Sequence, residues 1–418
     1  MLNLFSKTLN SFGVCSVMAL CIGYSDGGVA GSITQAIKTG KPYIDVNLRY
    51  EDASVGDLDV EALTVRSTFG FKTGSANGFS AQIEFEDVRP VLGIGEDDTD
   101  QASAESNAIA DPAEPLTELD QAFIQYQQGD KSTGVTARLG RQVITLDGQR
   151  HVGHVAWRQD KQTFDAGRVM WKPIKNLAFD YSHIYKVNRI NSPSTDGIAA
   201  GFADVNDTSI DLLNVSYKTP YGKAVVYSYN MSDDGLYEEL DTLGASFRGK
   251  TKVADNISIS YGLELAQQDN ETDNIDTDYS RIELGVGVSG VKLDIHQETL
   301  GSDDGMGNFQ TPLATEHKFL GWADVFLGGA INGAIDGGNG IVETAFKVSG
   351  NVAGVKLAAI YHDFESDEQS NDLGDEIDLL AVKKLNKFYT VGLKYADYSA
   401  PTGGTDVDRL WIWVNAKF

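Results

Sequence analysis

The side chains in this sequence able to do chemistry are arginines and carboxylates set into alternating segments. Arg66, Arg138, Arg248, Glu84 and Glu86 each fall on the phase that otherwise carries Gly, Ser and Thr. Arg141 falls on the apolar phase of its segment, and Arg150, Arg158 and Arg168 follow closely. Guanidinium and carboxylate sets facing each other across a wet passage would make a transverse field. Such a field sorts small solutes by charge and breaks no bond. Other chemistries lack their motifs. No HExxH or GxSxG is present, and the Gly-rich stretch 333–340 follows no strand–helix phosphate pattern. His151 and His154 read as a polar loop pair rather than as metal ligands. The acidic clusters Glu96-Asp97-Asp98, 273–278, Asp303-Asp304 and Asp367-Glu368 do not match an EF-hand and read as solvated surface. The alternative there is a divalent cation bridging anionic lipopolysaccharide. The expected cofactor is none.

Residues of this kind need a frame that holds one polar face around water. Period-two alternation in segments of about ten residues supplies it. Ile257, Ile259, Tyr261, Leu263 and Leu265 alternate with Ser258, Ser260, Gly262 and Glu264; Ile282, Leu284, Val286 and Val288 alternate with Arg281, Glu283, Gly285 and Gly287. Phe79, Ala81, Ile83 and Phe85 alternate with Ser80, Gln82, Glu84 and Glu86. Successive strand residues face opposite sides, so one face is apolar and the other rich in Gly and ions. A soluble sandwich also buries one face, but a polar face of this composition fits a water-filled lumen. Strands are expected at 43–51, 58–72, 76–91, 116–129, 133–143, 161–172, 176–190, 207–219, 222–231, 235–250, 253–268, 277–289, 291–300, 340–350, 353–365, 376–386, 388–398 and 407–418. That makes eighteen, or sixteen if a long hairpin has been split. Short links alternate with longer acidic loops, as in outer-membrane barrels. The expected fold is all-β: a transmembrane antiparallel β-barrel of about 18 strands with a long inward-folded loop.

The 418 residues carry 34 Lys+Arg against 60 Asp+Glu, a net charge of −26, which excludes nucleic acid as the partner. No stretch has eighteen uninterrupted apolar residues, so helical membrane spans are excluded. Residues 11–24 form an uncharged run after Lys7, and Gly28-Val29-Ala30 offers small residues before a cleavage point. Residues 1–30 therefore read as a signal peptide and 31–418 as one barrel domain. Both cysteines, Cys15 and Cys21, lie in the leader, so the mature chain has none. At the other end, Leu410, Ile412, Val414 and Ala416 alternate with Arg409, Trp411, Trp413, Asn415 and Lys417 up to Phe418. A last strand ending in Phe is the signal read by the barrel assembly machinery.

Several ordered pieces resemble the alginate-export family of outer-membrane porins. They include Arg138-Leu139-Gly140-Arg141-Gln142, Trp157-Arg158-Gln159, Gln162-Thr163-Phe164-Asp165 and Val187-Asn188-Arg189. The late blocks are Leu300-Gly301-Ser302-Asp303-Asp304-Gly305, His317-Lys318-Phe319, Gly321-Trp322-Ala323-Asp324 and Tyr361-His362-Asp363-Phe364. The resemblance implies an eighteen-stranded barrel with an Arg-lined constriction suited to anionic saccharides.

The longest expected loop, 301–339, carries Phe319, Trp322, Phe326 and Leu327, which is apolar for a solvated loop. A plug folded into the barrel would bury them and bring Lys318 and Asp324 to the constriction. The expectation is thus a passive outer-membrane channel for small polar solutes or ions, with Arg66, Glu84, Glu86, Arg138, Arg141, Arg158 and Arg168 lining it. The alternatives are a barrel-housed hydrolase and a closed structural or adhesive barrel. Its surroundings would be outer-membrane lipid and lipopolysaccharide, and the expected state is a monomer.

Overall fold

The computed structural model describes residues 29–94, 109, 115–130, 132–190, 205–232 and 239–418. Apart from residues 29 and 30, the expected signal segment lies outside these, as does Glu96-Asp97-Asp98. A short helix, α1 (Val29–Lys38), leads into β1 (Lys41–Val55), β2 (Leu58–Lys72), β3 (Phe79–Pro90), β4 (Leu116–Gly129), β5 (Gly134–Gln142) and β6 (Thr163–Lys172). The sheet continues with β7 (Leu177–Asn188), β8 (Val205–Lys218), β9 (Lys223–Ser232), β10 (Leu240–Ala254), β11 (Ile257–Asn270) and β12 (Ile275–Val288). It ends with β13 (Val291–Leu300), β14 (Ile341–Val352), β15 (Val355–Glu365), β16 (Asp372–Lys384), β17 (Tyr389–Ser399) and β18 (Val407–Lys417).

Each strand pairs antiparallel with its neighbours in sequence, and β18 pairs with β1, so eighteen strands close into a barrel. Closure satisfies every ladder and leaves no edge. The seam is held in register from Asp45↔Lys417 to Val55↔Val407. All eighteen expected strands are present. Several run further than their apolar alternation does: β11 and β12 stay paired out to Asp269↔Asp276 and Asn270↔Ile275. Ladder hydrogen bonds need no apolar side chain, so strands continue beyond the membrane into polar sequence.

The outward phase carries the exposed apolar residues, among them Leu263, Leu265, Ile282, Leu284, Leu293, Phe346, Leu379, Leu393, Ile412 and Val414. Their exposure is what a lipid-facing belt requires. At the end with short turns, Phe418 stacks on Phe388 at 5.3 Å and packs edge-on to Tyr389 at 6.0 Å. Its backbone exchanges hydrogen bonds with Ile44, fixing the last residue to the first strand.

The inward phase is not polar throughout. Toward the long-loop end it turns apolar: Phe164, Ile184, Val187, Ile210, Leu212, Tyr227, Tyr229, Leu300, Ile341, Phe364 and Trp411 are buried there. They form one cluster with Ile144, Val152, Phe309, Leu313 and Phe326 from loops. The hydrophobic core of this protein therefore lies inside the barrel, where inward loops seat on apolar wall residues.

Candidate functional site in the barrel lumen

Two connections fill this core, 143–162 between β5 and β6 and 301–340 between β13 and β14. The second carries a 3-10 turn (Glu316–Lys318) and a short helix, α2 (Leu327–Asn332). They bond to each other: Gly153 N–H donates to Leu313 O (2.8 Å), Thr315 N–H to Gln149 O (3.0 Å), and Gln162 Nε2 to Leu313 O (3.2 Å). Phe326 packs on Phe364 at 4.8 Å and edge-on to Tyr398 at 5.9 Å. Leu320 (φ +54°), Gly321 (φ +81°) and Asp324 (φ +60°) take left-handed backbone. That tight course brings the Trp322 and Ala323 N–H groups onto the Glu376 carboxylate of β16. Strain of this kind persists only where surrounding contacts over-determine it. Arg409 Nε of β18 closes the same turn by donating to Ala323 O (2.7 Å).

The centre of the lumen is a charged chain spanning both loops and the wall. Arg158 of the first loop donates to both Glu51 oxygens (3.0 and 3.1 Å) and to Asp324 of the second (2.6 Å). Arg409 stands 3.7 Å from Glu51. Asp324 also accepts from His317 Nδ1 (2.8 Å). Burial opposes its ionisation, but the hydrogen bond from His317 and the Arg158 and Arg409 guanidiniums outweigh burial and hold the Asp324 carboxyl well below the usual range. Arg49 of β1 donates to Trp157 O and lies 4.5 Å over that ring.

Two further networks flank it. Arg150 bridges Glu298 of β13 (2.6 Å) and Glu316 (2.7 Å), and Glu298 also receives Arg281 Nη1 (2.5 Å) and Tyr279 Oη (2.8 Å). The Phe319 ring lies 4.8 Å from the Arg150 guanidinium and 5.7 Å from that of Arg281. On the opposite wall Lys161 reaches three carboxylates: Glu84 (3.0 Å), Glu86 (3.1 Å) and Asp120. Burial works against the ammonium, yet Glu86, Asp120 and Glu84 hold it protonated, well above its usual range. Next to it Asp160 is fully buried. That burial, with Glu118, Glu86 and Asp120 nearby, pushes its carboxyl well above the ordinary value.

The residues expected to line a pore separate into groups. Arg158, Arg66, Glu84 and Glu86 meet in the lumen, with Arg66 donating to Arg158 O (3.4 Å) and lying 3.8 Å from Glu86. Arg168 pairs with Asp180 through two bonds (2.8 and 2.6 Å), and Arg138 donates to Gln125 (2.7 Å) nearer the short-turn end. Arg141 joins none of these. It shares the register face of Leu139, 45 % exposed on the outside, and bonds Asp165 (2.8 Å) and Leu119 O (2.9 Å). Gly140 before it has φ +121°. Trp322, Asp324 and Phe326 lie in the seated loop. Lys318 is exposed at its tip and donates to Gly148 O (2.9 Å), tying the two loops together again. His151 and His154 diverge: the first bonds Tyr227 Oη (2.9 Å), the second Gln149 (3.0 Å). Among the described residues no three His, Cys, Asp or Glu side chains come together as a metal-binding group.

Sequence reasoning did not single out Glu51, Arg49, Lys161, Asp120, Glu376, Lys394 or His317 for the lumen. Arg49 and Glu51 were accessible from alternation, being in phase with Asn47 on β1. Asp120 was not. It is the extra residue where the β3–β4 register jumps from Glu84↔Gln121 to Phe85↔Leu119, and the bulge re-aims its side chain inward.

Comparison with known proteins agrees with this architecture. Residues 52–186 match the alginate export family. No curated relative matches the sequence significantly. Among solved structures, OccK9 (OpdG) of Pseudomonas aeruginosa is 14 % identical, with a TM-score of 0.69 over 92 % of this chain and 99 % of that one. OccAB4 of Acinetobacter baumannii is 12 % identical, with a TM-score of 0.68 over 91 % of this chain and 98 % of its own. OpdK of Pseudomonas aeruginosa, solved with vanillate, is also 12 % identical, with a TM-score of 0.68 over 91 % and 99 %. Nothing in these comparisons supports a barrel-housed hydrolase or an adhesive barrel. The stretch 52–186 therefore carries the alginate export family's sequence pattern, and the chain as a whole has the fold of an outer-membrane porin.

Proposed function

We propose that this barrel is a passive outer-membrane channel for small polar solutes, carboxylated saccharides included, and performs no catalysis. The observation that carries the reading is the pair of loops seated inside the lumen. They fill much of it, held there by the nearly buried group of Arg158, Glu51 and Asp324, and leave a narrowed passage along the remaining polar wall. A wall of this kind offers successive weak polar contacts, which a solute can enter and leave. Acceptance of carboxylates draws on Lys318 and Arg138, whose described hydrogen-bond partners are a carbonyl and an amide rather than a carboxylate. A monomer in outer-membrane lipid and lipopolysaccharide, inserted through the Phe418 end, fits the closed sheet, and divalent cations at the outer acidic loops would serve lipid bridging only.

Liposome swelling tests this directly. Vesicles bearing the refolded protein should swell in small neutral sugars and in sodium salts of monosaccharide uronic acids. Swelling in neutral sugars but not in uronates of equal size would overturn the acceptance of carboxylates. No swelling in any of them would overturn the channel.

A further inference from the structure

One lumen lysine takes part in none of the ion pairs above. Lys394 of β17 is 5 % exposed, and no carboxylate oxygen lies within salt-bridge distance of it among the described residues. Its ammonium instead lies 3.7 Å from the Trp322 ring centroid, 4.3 Å from Trp157 and 5.4 Å from Trp411. Its one polar partner among the described residues is His317 Nε2 at 2.6 Å. An ammonium only donates, so Nε2 accepts and the His317 proton sits on Nδ1, which donates to Asp324. The His317 ring also stacks on Trp157 at 4.9 Å, 8° from parallel. Trp157 belongs to the first inward loop, His317 and Trp322 to the second, and Trp411 to the wall. A desolvated cation over several indole faces is a strong, short-range fastener.

We propose that Lys394 is the positioning residue that sets the channel's aperture, fastening both inward loops to the β17–β18 wall through His317 and the Trp157–Trp322–Trp411 cage. The inference rests on the channel reading above.

The fastening has a built-in pH dependence. Lys394 of β17 faces His317, Asp324 and Trp322 of the second loop, Arg158 and Trp157 of the first, Arg49 of β1 and Asp378 of β16. A doubly protonated His317 would present a second cation to the ammonium and lose its acceptor. Burial, with Lys394 and Arg158 nearby, keeps the seated imidazole neutral against the pull of Asp324. A depressed histidine stabilises the seated state at pH above the free value of about 6.5. Below that value a released loop takes up the proton and the seated one does not, so release gains up to roughly tenfold per pH unit.

The test is single-channel recording of the refolded protein at pH 7.5 and 4.5, with Lys394→Met, Lys394→Arg and His317→Gln beside the parent. At pH 7.5 Lys394→Met should conduct about twofold more than the parent, with added current noise. Lys394→Arg, which keeps a cation over the indoles, should return most of the parental behaviour. The parent should open as pH falls, whereas His317→Gln, neutral at both values, should not. Equal conductance and noise in Lys394→Met and the parent, both running as folded barrels on unboiled gels, would overturn the proposal. If the parent conducts nothing, the channel reading fails separately, and amide exchange over 315–324 still decides the fastening. Faster exchange in Lys394→Met supports it, and equal exchange sinks it.

Discussion

Arg158→Met removes the side chain that hydrogen-bonds both Glu51 of the wall and Asp324 of the second loop. In the parent it donates to Glu51 at 3.0 and 3.1 Å and to Asp324 at 2.6 Å, with all three side chains nearly buried. Breaking a buried pair by removing one partner costs roughly 3–5 kcal/mol, because the other charge is left without compensation. Arg409 near Glu51 and His317 on Asp324 remain, so the lower end applies, about 3 kcal/mol. A loss of that size shifts the ratio of unseated to seated loop by roughly a hundredfold. Bilayer recording of Arg158→Met should therefore show larger, noisier openings than the parent. The reversal potential under a salt gradient should also move toward cation selectivity, since two carboxylates lose their shared counter-charge. Adding Glu51→Gln and Asp324→Asn to Arg158→Met should quiet the channel again and undo the shift in selectivity. The reasoning is refuted if Arg158→Met inserts as a heat-modifiable barrel yet matches the parent in both noise and reversal potential.

Arg141→Ala should leave the reversal potential unchanged, because its partner is Asp165 on the outward register face; a shift toward cations would place it in the passage after all. Deleting 319–327 should raise conductance without stopping insertion, since no strand residue is lost; unchanged conductance would make the segment a rim loop. Asp160→Asn should raise the unfolding temperature more at pH 8 than at pH 5. The raised carboxyl pKa favours the folded protein at low pH and disfavours it as pH climbs above the free value of about 3.9, and the amide abolishes that slope. Equal stabilisation at both pH values would argue against a protonated Asp160. Phe418→Ser should lower the yield of folded barrel in vesicles, read as the unboiled fast-migrating band, because the stack on Phe388 and Tyr389 is lost; an unaffected yield would remove Phe418 from assembly.

The outer half of this fold is written plainly in the chain. Lipid demands an unbroken apolar phase, so Ile282, Leu284 and Val286 betray both the strand and its outward face. The count of eighteen follows from repeating that pattern, and the apolar content of Phe319, Trp322 and Phe326 announces a buried loop. The lumen is less legible for physical reasons. Near the long loops the inward phase becomes apolar as well: on β9, Val225, Tyr227, Tyr229 and Met231 point in while Val226 is exposed outside. Alternation then ceases to tell inside from outside. A bulge at Asp120 hides one acid from any period-two reading. Partners such as Arg158 with Glu51, or His317 with Lys394, lie 107 and 77 positions apart, so only the closed barrel brings them together.

The central claim is a water-filled passage narrowed by two seated loops. Planar-bilayer recording of the refolded protein tests it most directly. Heat-modifiable barrel should insert in discrete, steady current steps with a nearly linear current–voltage relation at neutral pH, and the step size should grow when 319–327 is removed. Inserted, intact barrel that gives no steps with or without that segment would contradict the account.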